Sequence, residues 1–382
     1  MISRLRGIFG RGQAASSTAA LRFNRPLVLF QSDDWGRVGV RDREGWNELR
    51  AKGVSLGVNP YDSYSLETAD DLQALADVLK RHRDSVSRHP CIGMNFVMAN
   101  VDFPRLGSNK RDIFLRPLTD GPPEPWRRPS LGEAYRQGIR ERVFFPALHG
   151  LTHFCAAAVE RELGAEGERR ELLQTLWSAG TPYIHWRMPW IGYEYWDPSL
   201  PTDRRFLSLS DQRAAIQRAT EIYREFFAMN LVSACAPGYR ANQDTMTAWS
   251  EVGVRVVQRG PGGRERPTVD GDGMLFTFRN VELEPATEPC GLESVVRRAN
   301  ECLSRGLPAT VSMHSINFHS TIRDFRSSTL TLLDGFLSAM EREWPELLYV
   351  NDGDLWHIAT DGFLAGEAEN IKVGVTTLGA DR

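Results

Sequence analysis

The sequence predicts an α/β fold, a parallel sheet or barrel with helices on the outside. Two observations carry that expectation. Short apolar runs alternate with stretches of helical period along the 382 residues. Residues of catalytic type stand where several of those runs end, which is where parallel α/β folds place their chemistry. No Gly/Ser/Pro linker separates two cores and no internal repeat is evident. A single domain is therefore expected over 23–360, with flexible tails over 1–22 and 361–382.

The first strand is expected at Leu27-Val28-Leu29-Phe30, opened by Pro26 and running into Gln31-Ser32-Asp33-Asp34-Trp35-Gly36. It is apolar on both faces, as a strand buried in a parallel sheet is. Helical stretches follow over 41–52 and 67–83. In the second, Leu72, Leu75, Ala76 and Leu79 share one face, and Ser65 or Thr68 supplies a cap. A strand is expected over 91–99. Prolines and glycines break every period over 100–129, which reads as a long surface loop. The strand over 143–148 runs into His149-Gly150-Leu151-Thr152-His153, and a helix is expected over 156–178. An aromatic block at 183–196 lies in an insertion near 181–205. After a helix over 210–229, the strand over 231–235 leads into Ala236-Pro237-Gly238-Tyr239-Arg240. Helices over 244–252, 292–304 and 328–342 then alternate with strands over 254–258, 275–278, 309–313 and 347–350.

The apolar and charged fractions are those of a globular protein with a sizeable core. A net charge of -3 gives no reason to expect nucleic acid or an anionic membrane as partner. The five cysteines are scattered and form no C-x-x-C pair, which argues for reduced thiols and against a disulfide frame or thiolate metal site. No stretch approaches the ~20 apolar residues of a membrane helix. Residues 1–20 lack an apolar signal-peptide core. The expected location is the cytoplasm, and no motif speaks to oligomeric state.

Four strand ends carry polar residues of catalytic type: Asp33 with Asp34, His149 with His153, Tyr239 with Arg240, and His314. The ends of successive parallel strands converge on one rim. Taken alone, the Asp pair reads equally well as a helix cap or as catalytic carboxylates. His149 and His153 are four apart, so if the chain turns helical there they share a face and can grip one ion. Alone, such a pair is more often two histidines with unrelated hydrogen bonds. A carboxylate at another strand end shifts the reading toward a metal, because two imidazoles and one carboxylate leave open positions on the ion.

These motifs resemble those of the polysaccharide deacetylases of carbohydrate esterase family 4, the chitooligosaccharide deacetylase type. Ser32-Asp33-Asp34-Trp35-Gly36 matches the Asp-Asp motif closing the first strand, and His149-Gly150-Leu151-Thr152-His153 the His-x-x-x-His motif. Ala236-Pro237-Gly238-Tyr239-Arg240 resembles the proline–aromatic motif, and Thr310-Val311-Ser312-Met313-His314 the strand closing on histidine. The resemblance spans nearly the whole chain. It implies a distorted seven-stranded (β/α) barrel, with 23–360 as its catalytic domain. It further implies that Asp34, His149 and His153 hold a divalent metal, most often zinc. Asp33 would be the base that takes a proton from metal-bound water, and His314 the acid that protonates the leaving amine. The backbone N–H of Tyr239 would help to hold the oxyanion.

In the family an arginine precedes the proline–aromatic pair and orients the base; here Arg240 follows it. Arg187, in Trp186-Arg187-Met188-Pro189-Trp190, resembles the signature locally. Arg240 is expected to orient the base and Arg187 to face substrate, together with Trp35, Tyr239, Trp190 and His319. His319 could also replace His314 as the acid. The aromatic block reads either as a platform for sugar C–H faces or as a satellite apolar cluster. Asp352 and Asp354, after the last strand, are a rim pair or a cap. The expected activity is removal of the N-acetyl group of an amino sugar in a glycan or glycan precursor. The alternatives are hydrolysis of another non-peptide amide and a non-catalytic glycan-binding barrel.

Overall fold

The computed structural model describes residues 18–105, 112–124, 126–262, 265–366 and 369–378. The chain runs β1 (Ala19–Phe23), β2 (Leu27–Trp35), α1 (Arg43–Ala51), α2 (Ala69–Arg81), β3 (Ile92–Phe96), β4 (Ala99–Val101), β5 (Leu115–Pro117), α3 (Leu131–Arg140) and β6 (Phe144–Leu148). It continues through α4 (Ala156–Gly164), α5 (Glu168–Ser178), α6 (Leu209–Phe227), β7 (Ser233–Cys235), α7 (Gln243–Val252), β8 (Val256–Arg259), β9 (Thr268–Val269), β10 (Leu275–Phe278) and β11 (Val281–Glu282). It ends with α8 (Leu292–Ser304), β12 (Ala309–His314), α9 (Arg326–Glu343), β13 (Leu348–Val350), α10 (Asp352–Asp361), β14 (Phe363–Leu364), β15 (Ile371–Lys372) and β16 (Val375–Leu378).

The parallel strands follow the order β11-β12-β2-β3-β6-β7-β8-β10. Its two edges, β10 and β11, are consecutive in the chain. Arg279 N donates to Arg259 O of β8, while Asn280 N donates to Thr310 O of β12. β10 and β11 thus form one kinked strand that pairs with β8 on one side and β12 on the other and closes the sheet, giving a distorted seven-stranded barrel as expected. Gln31 of β2 reaches across it to Thr277 of β10 at 2.9 Å.

All nine residues of β2 are buried, because β12 pairs with it on one side and β3 and β13 on the other. An apolar layer separates the barrel from its helices. Phe30, for example, meets Phe336 of α9 edge-on at 6.2 Å, and Leu72, Leu75 and Leu79 of α2 are buried in the same layer. Thr68 caps α2 in a capping box with Asp71.

Four expectations differ from the structure. The helix expected over 156–178 breaks into α4 and α5 at Gly167, whose φ of 128° no ordinary residue adopts readily. The loop over 100–129 carries an antiparallel pair, β4 with β5, and its residues 106–111 and 125 lie outside the described residues. The tail over 361–382 contains β14 to β16. Within the tail over 1–22, residues 1–17 lie outside the described residues, whereas Ala20 to Phe23 pair with Leu378 to Val375. Among the described residues no helix is long and apolar enough to cross a membrane.

Candidate metal centre and active site

An extended strand sends neighbouring side chains to opposite faces, yet Asp33 and Asp34 both reach the barrel mouth. A bulge resolves this. Ser32 pairs with Met94 and Trp35 with Phe96, so two residues of β2 stand against Asn95 alone. Asp34 takes a left-handed φ of 74°, and the Tyr64 hydroxyl clamps its carbonyl at 2.7 Å.

His149 and His153 meet without the helical turn expected for them, since α4 starts only at Ala156. They converge through a loop in which Gly150 has φ 88°, and a Cβ there would fall 2.0 Å from Glu194 Oε2. Glu194 braces that loop by accepting from the N–H groups of Leu151 (2.7 Å) and Thr152 (3.2 Å). Burial pushes its carboxyl up to about 7.

Asp34 Oδ1 lies 3.2 Å from His153 Nε2 and 3.7 Å from His149 Nε2. His149 Nδ1 sits 2.9 Å from the Cys235 carbonyl. A carbonyl only accepts, so Nδ1 carries the proton and Nε2 presents a bare lone pair. Burial pushes both imidazoles below their ordinary pKa, and Arg37 adds to the effect at His153. Asp34 Oδ1 is buried without a hydrogen-bond partner, and the three ligand atoms lie within 4.8 Å of one another. Two neutral imidazoles and an orphaned carboxylate oxygen fit a divalent cation.

Asp33 is gripped on both oxygens. Arg279 Nη1 donates to Oδ2 at 2.9 Å and Nη2 to Oδ1 at 2.5 Å, and Asn95 Nδ2 donates to Oδ1 at 2.6 Å. Burial alone would raise this carboxyl; Arg279, with His149 and His314, instead holds it well below the usual range. Beneath it the barrel interior is polar. Gln258 Nε2 and Ser233 Oγ both donate to Asp352 Oδ2 at 2.7 Å, and Gln31 Nε2 donates to Oδ1 at 2.7 Å. Asp352 is therefore an interior residue, not a rim one, while Asp354 completes the α10 capping box with Asn351. At the mouth, His314 Nε2 lies 3.8 Å from Asp33 Oδ2, and His314 Nδ1 lies 2.6 Å from Glu284 Oε1. Burial would lower this imidazole, but Glu284 outweighs it and raises the pKa to about 9.

Asp33, Asp34, His149, His153 and His314 thus converge. Other expected site residues stand elsewhere. Arg240 is exposed and lies 4.9 Å over the Trp196 ring; Arg279 occupies the place expected for it at Asp33. Arg187 pairs with Asp62 at 3.0 and 3.1 Å. Trp35 is fully buried, stacked on Phe318 at 5.6 Å. Trp190 packs on a satellite cluster under Arg169. His319 is buried against Glu67 at 3.3 Å. Tyr239 does reach the centre, with its hydroxyl 3.4 Å from Asp33 Oδ2, but its backbone N–H is taken by Ala236 O at 2.8 Å. The aromatic block divides likewise. Tyr183, His185 and Tyr193 ring His153 at 6.4, 5.2 and 5.8 Å, whereas Tyr195 is core, packed on Trp249.

No protein-family model and no curated protein matches the chain. Solved structures do. The chain is similar in fold to polysaccharide deacetylases of carbohydrate esterase family 4. A putative glycoside hydrolase/deacetylase from Parabacteroides distasonis matches at 10% identity and TM-score 0.49, over 89% of this chain and 73% of that one. A putative polysaccharide deacetylase from Mycobacterium smegmatis matches at 11% and 0.43, over 87% and 90%. A family pseudoenzyme from Bacillus anthracis matches at 10% and 0.37, over 87% and 66%. With likenesses this distant, what the centre does has to be read from its own side chains.

Proposed function

We propose that the protein is a metal-dependent hydrolase that removes the acetyl group from an N-acetylated amino sugar, in a glycan or glycan precursor. The observation that supports it best is the orphaned Asp34 Oδ1 facing Nε2 of His149 and Nε2 of His153, with a carboxylate and an imidazolium alongside. A divalent cation held by Asp34, His149 and His153, zinc in this reading, would polarise the amide carbonyl and acidify water. Asp33 would accept that water's proton. Arg279 keeps it ionised and fixes its orientation, at the cost of weakening it as a base. His314, kept protonated through neutral pH by Glu284, would donate to the departing nitrogen. Tyr193, half-buried at 5.8 Å from His153, would meet the sugar. Five free thiols suit a reducing compartment, the cytoplasm.

The test is elemental analysis of untagged protein, followed by acetate release from N-acetylated sugars. About one metal per chain is expected, with Asp33→Asn keeping the metal and losing acetate release. A protein that takes up no metal on reconstitution, or an Asp33→Asn variant that works as well as the parent, overturns the reading.

A further inference from the structure

After α1 the chain makes one turn of 3₁₀ helix at Pro60–Ser63. Asp62 in that turn is fully buried, and its two oxygens take donors from two loops. From its own loop, the N–H groups of Gly57, Val58 and Asn59 donate to Oδ2 at 2.9, 3.0 and 3.2 Å. From the aromatic block, Arg187 Nη2 donates to Oδ2 at 3.1 Å, and Arg187 Nε and Trp186 Nε1 donate to Oδ1 at 3.0 and 2.9 Å. Burial alone would raise this carboxyl; Arg187, Asn59 and Trp186 hold it below its ordinary value, so the group is charged at neutral pH. Asp62 is thus a joint between residues 125 apart in sequence.

The joint fixes what stands on either side of it. On one side is His185, in the same turn as Arg187 and 5.2 Å from His153. On the other is Tyr61, next to Asp62, with its N–H held by Asn59 Oδ1 at 2.9 Å. The Tyr61 ring stacks along Tyr64 at 6.0 Å, and Tyr64 is the residue that clamps the Asp34 carbonyl. It also packs on Ala286 and Ile316, each two residues beyond a member of the Glu284–His314 pair. After burial, Asp34 and Glu284 are the groups that act most on its hydroxyl. The ring therefore lies across the mouth, between the metal ligands and the acid. Among the described residues the Tyr61 hydroxyl makes no hydrogen bond. A phenol is protonated at neutral pH, so it has a proton to give. The Tyr239 N–H, expected to hold the oxyanion, is already taken by Ala236 O.

We propose that the Tyr61 hydroxyl donates a hydrogen bond to the acetyl oxygen of the substrate, and that Asp62, by joining the loop over 57–63 to the turn at His185–Arg187, is the positioning residue that holds it there. The proposal rests on the deacetylase reading above. It also gives Arg187 and Trp186 a task, as the far half of the joint.

The experiment uses the zinc-loaded parent, Tyr61→Phe, Asp62→Asn and the double variant, with metal per chain determined for each. On all four, kcat and KM are measured for acetate release from the N-acetylglucosamine tetramer. Calorimetry gives the affinity for acetohydroxamate, which chelates the metal and presents an oxygen in place of the acetyl one. Amide exchange is followed by mass spectrometry. Tyr61→Phe is expected to lower kcat about 10- to 100-fold, the range of a hydrogen bond to a charged group, with KM changed less than about twofold. Asp62→Asn should lower kcat and speed exchange over both 57–63 and 183–190. In the Tyr61→Phe background it should lower kcat by less than about twofold, since a residue that acts through Tyr61 has little left to lose there. Arg187→Met, which leaves the backbone donors in place, should give the same pattern and replaces Asp62→Asn if that variant does not fold. Parental kcat in Tyr61→Phe, losses that multiply in the double variant, or exchange that rises in one loop only overturns the proposal. A parent that releases no acetate but binds acetohydroxamate, with an affinity that falls about tenfold in Tyr61→Phe and no further in the double variant, overturns the deacetylase reading and upholds Tyr61 as the donor. No acetate release together with an affinity that Tyr61→Phe leaves unchanged overturns both.

Discussion

Glu284→Gln tests the assignment of His314 as the acid. Glu284 is 8% exposed, its Oε1 is 2.6 Å from His314 Nδ1, and its Oε2 accepts from Asn317 Nδ2 at 2.6 Å. Burial by itself would lower the imidazole; the neighbouring carboxylate raises it from 6.5 to about 9. That difference corresponds to about 3 kcal/mol of preference for the charged form. The sign follows from linkage. A folded pKa above the unfolded one adds stability that is fully present below about 6.5 and is lost as pH rises through about 9. Parent and variant, both stripped of metal, are unfolded with urea at pH 6 and pH 10. The parent should exceed the variant by about 2–3 kcal/mol at pH 6, and the gap should shrink below about 1 kcal/mol at pH 10. In the metal-loaded enzyme the alkaline limb of kcat should move from near 9 toward neutrality by about two pH units. An equal stability gap at both pH values, with an unmoved alkaline limb, refutes the pairing as the source of the acid's charge.

Other perturbations separate the remaining roles. Arg279→Met should cost about 3–5 kcal/mol at neutral pH, because it leaves Asp33 buried without its cation. The stability that the depressed Asp33 pKa provides is present above 3.8 and lost as pH falls through the lower folded value, so the parent's advantage should be smaller at pH 3 than at pH 7; unchanged urea midpoints would contradict it. His153→Gln should reduce zinc affinity by about tenfold or more in competition with a chelator, and unaltered affinity would remove His153 from the ligand set. Arg240→Ala should change acetate release by less than about twofold and stability by about 0–1 kcal/mol, since its partner is an exposed contact with Trp196. Trp35→Ala should cost about 3–5 kcal/mol through the lost packing on Phe318, visible as a lowered Tm; a raised KM in a protein of parental Tm would return Trp35 to the substrate.

The pattern of the chain shows which parts of such a centre are legible from sequence. The strands were, because β2, β6 and β12 are continuous apolar runs, and the polar residues at their ends stand out against them. The residues that tune those ends were not. Glu284 follows a two-residue strand, and Asn95 sits inside an otherwise apolar one. Trp35, expected to face substrate, is adjacent to Asp34 in sequence but does not share its cleft. The bulge that turns both aspartates to the mouth leaves Trp35 pointing into the core. His319 follows the same logic, lying beyond the strand end in a turn that sends it back to Glu67.

Arg279 shows why fold and chemistry have to be solved together here. In sequence it is one arginine in Phe278-Arg279-Asn280-Val281, between stretches too short to read as one strand. It owes its place to barrel closure, since the strand must leave β8 and join β12 within two residues. Arg279 is the first of those two residues, 2% exposed, and its guanidinium meets Asp33 on the facing strand. Asn280 is the second, and its side chain bonds Thr310 N and Pro308 O, tying the kink to β12. The residue that depresses the base is therefore the residue at which the barrel closes. Asn280→Ala, which touches no catalytic side chain, should accordingly reach Asp33 through the backbone. The expected result is an acid limb of kcat displaced upward, in a variant that keeps its metal; an acid limb identical to the parent's would show that Arg279 holds Asp33 whether or not the strand is pinned to β12.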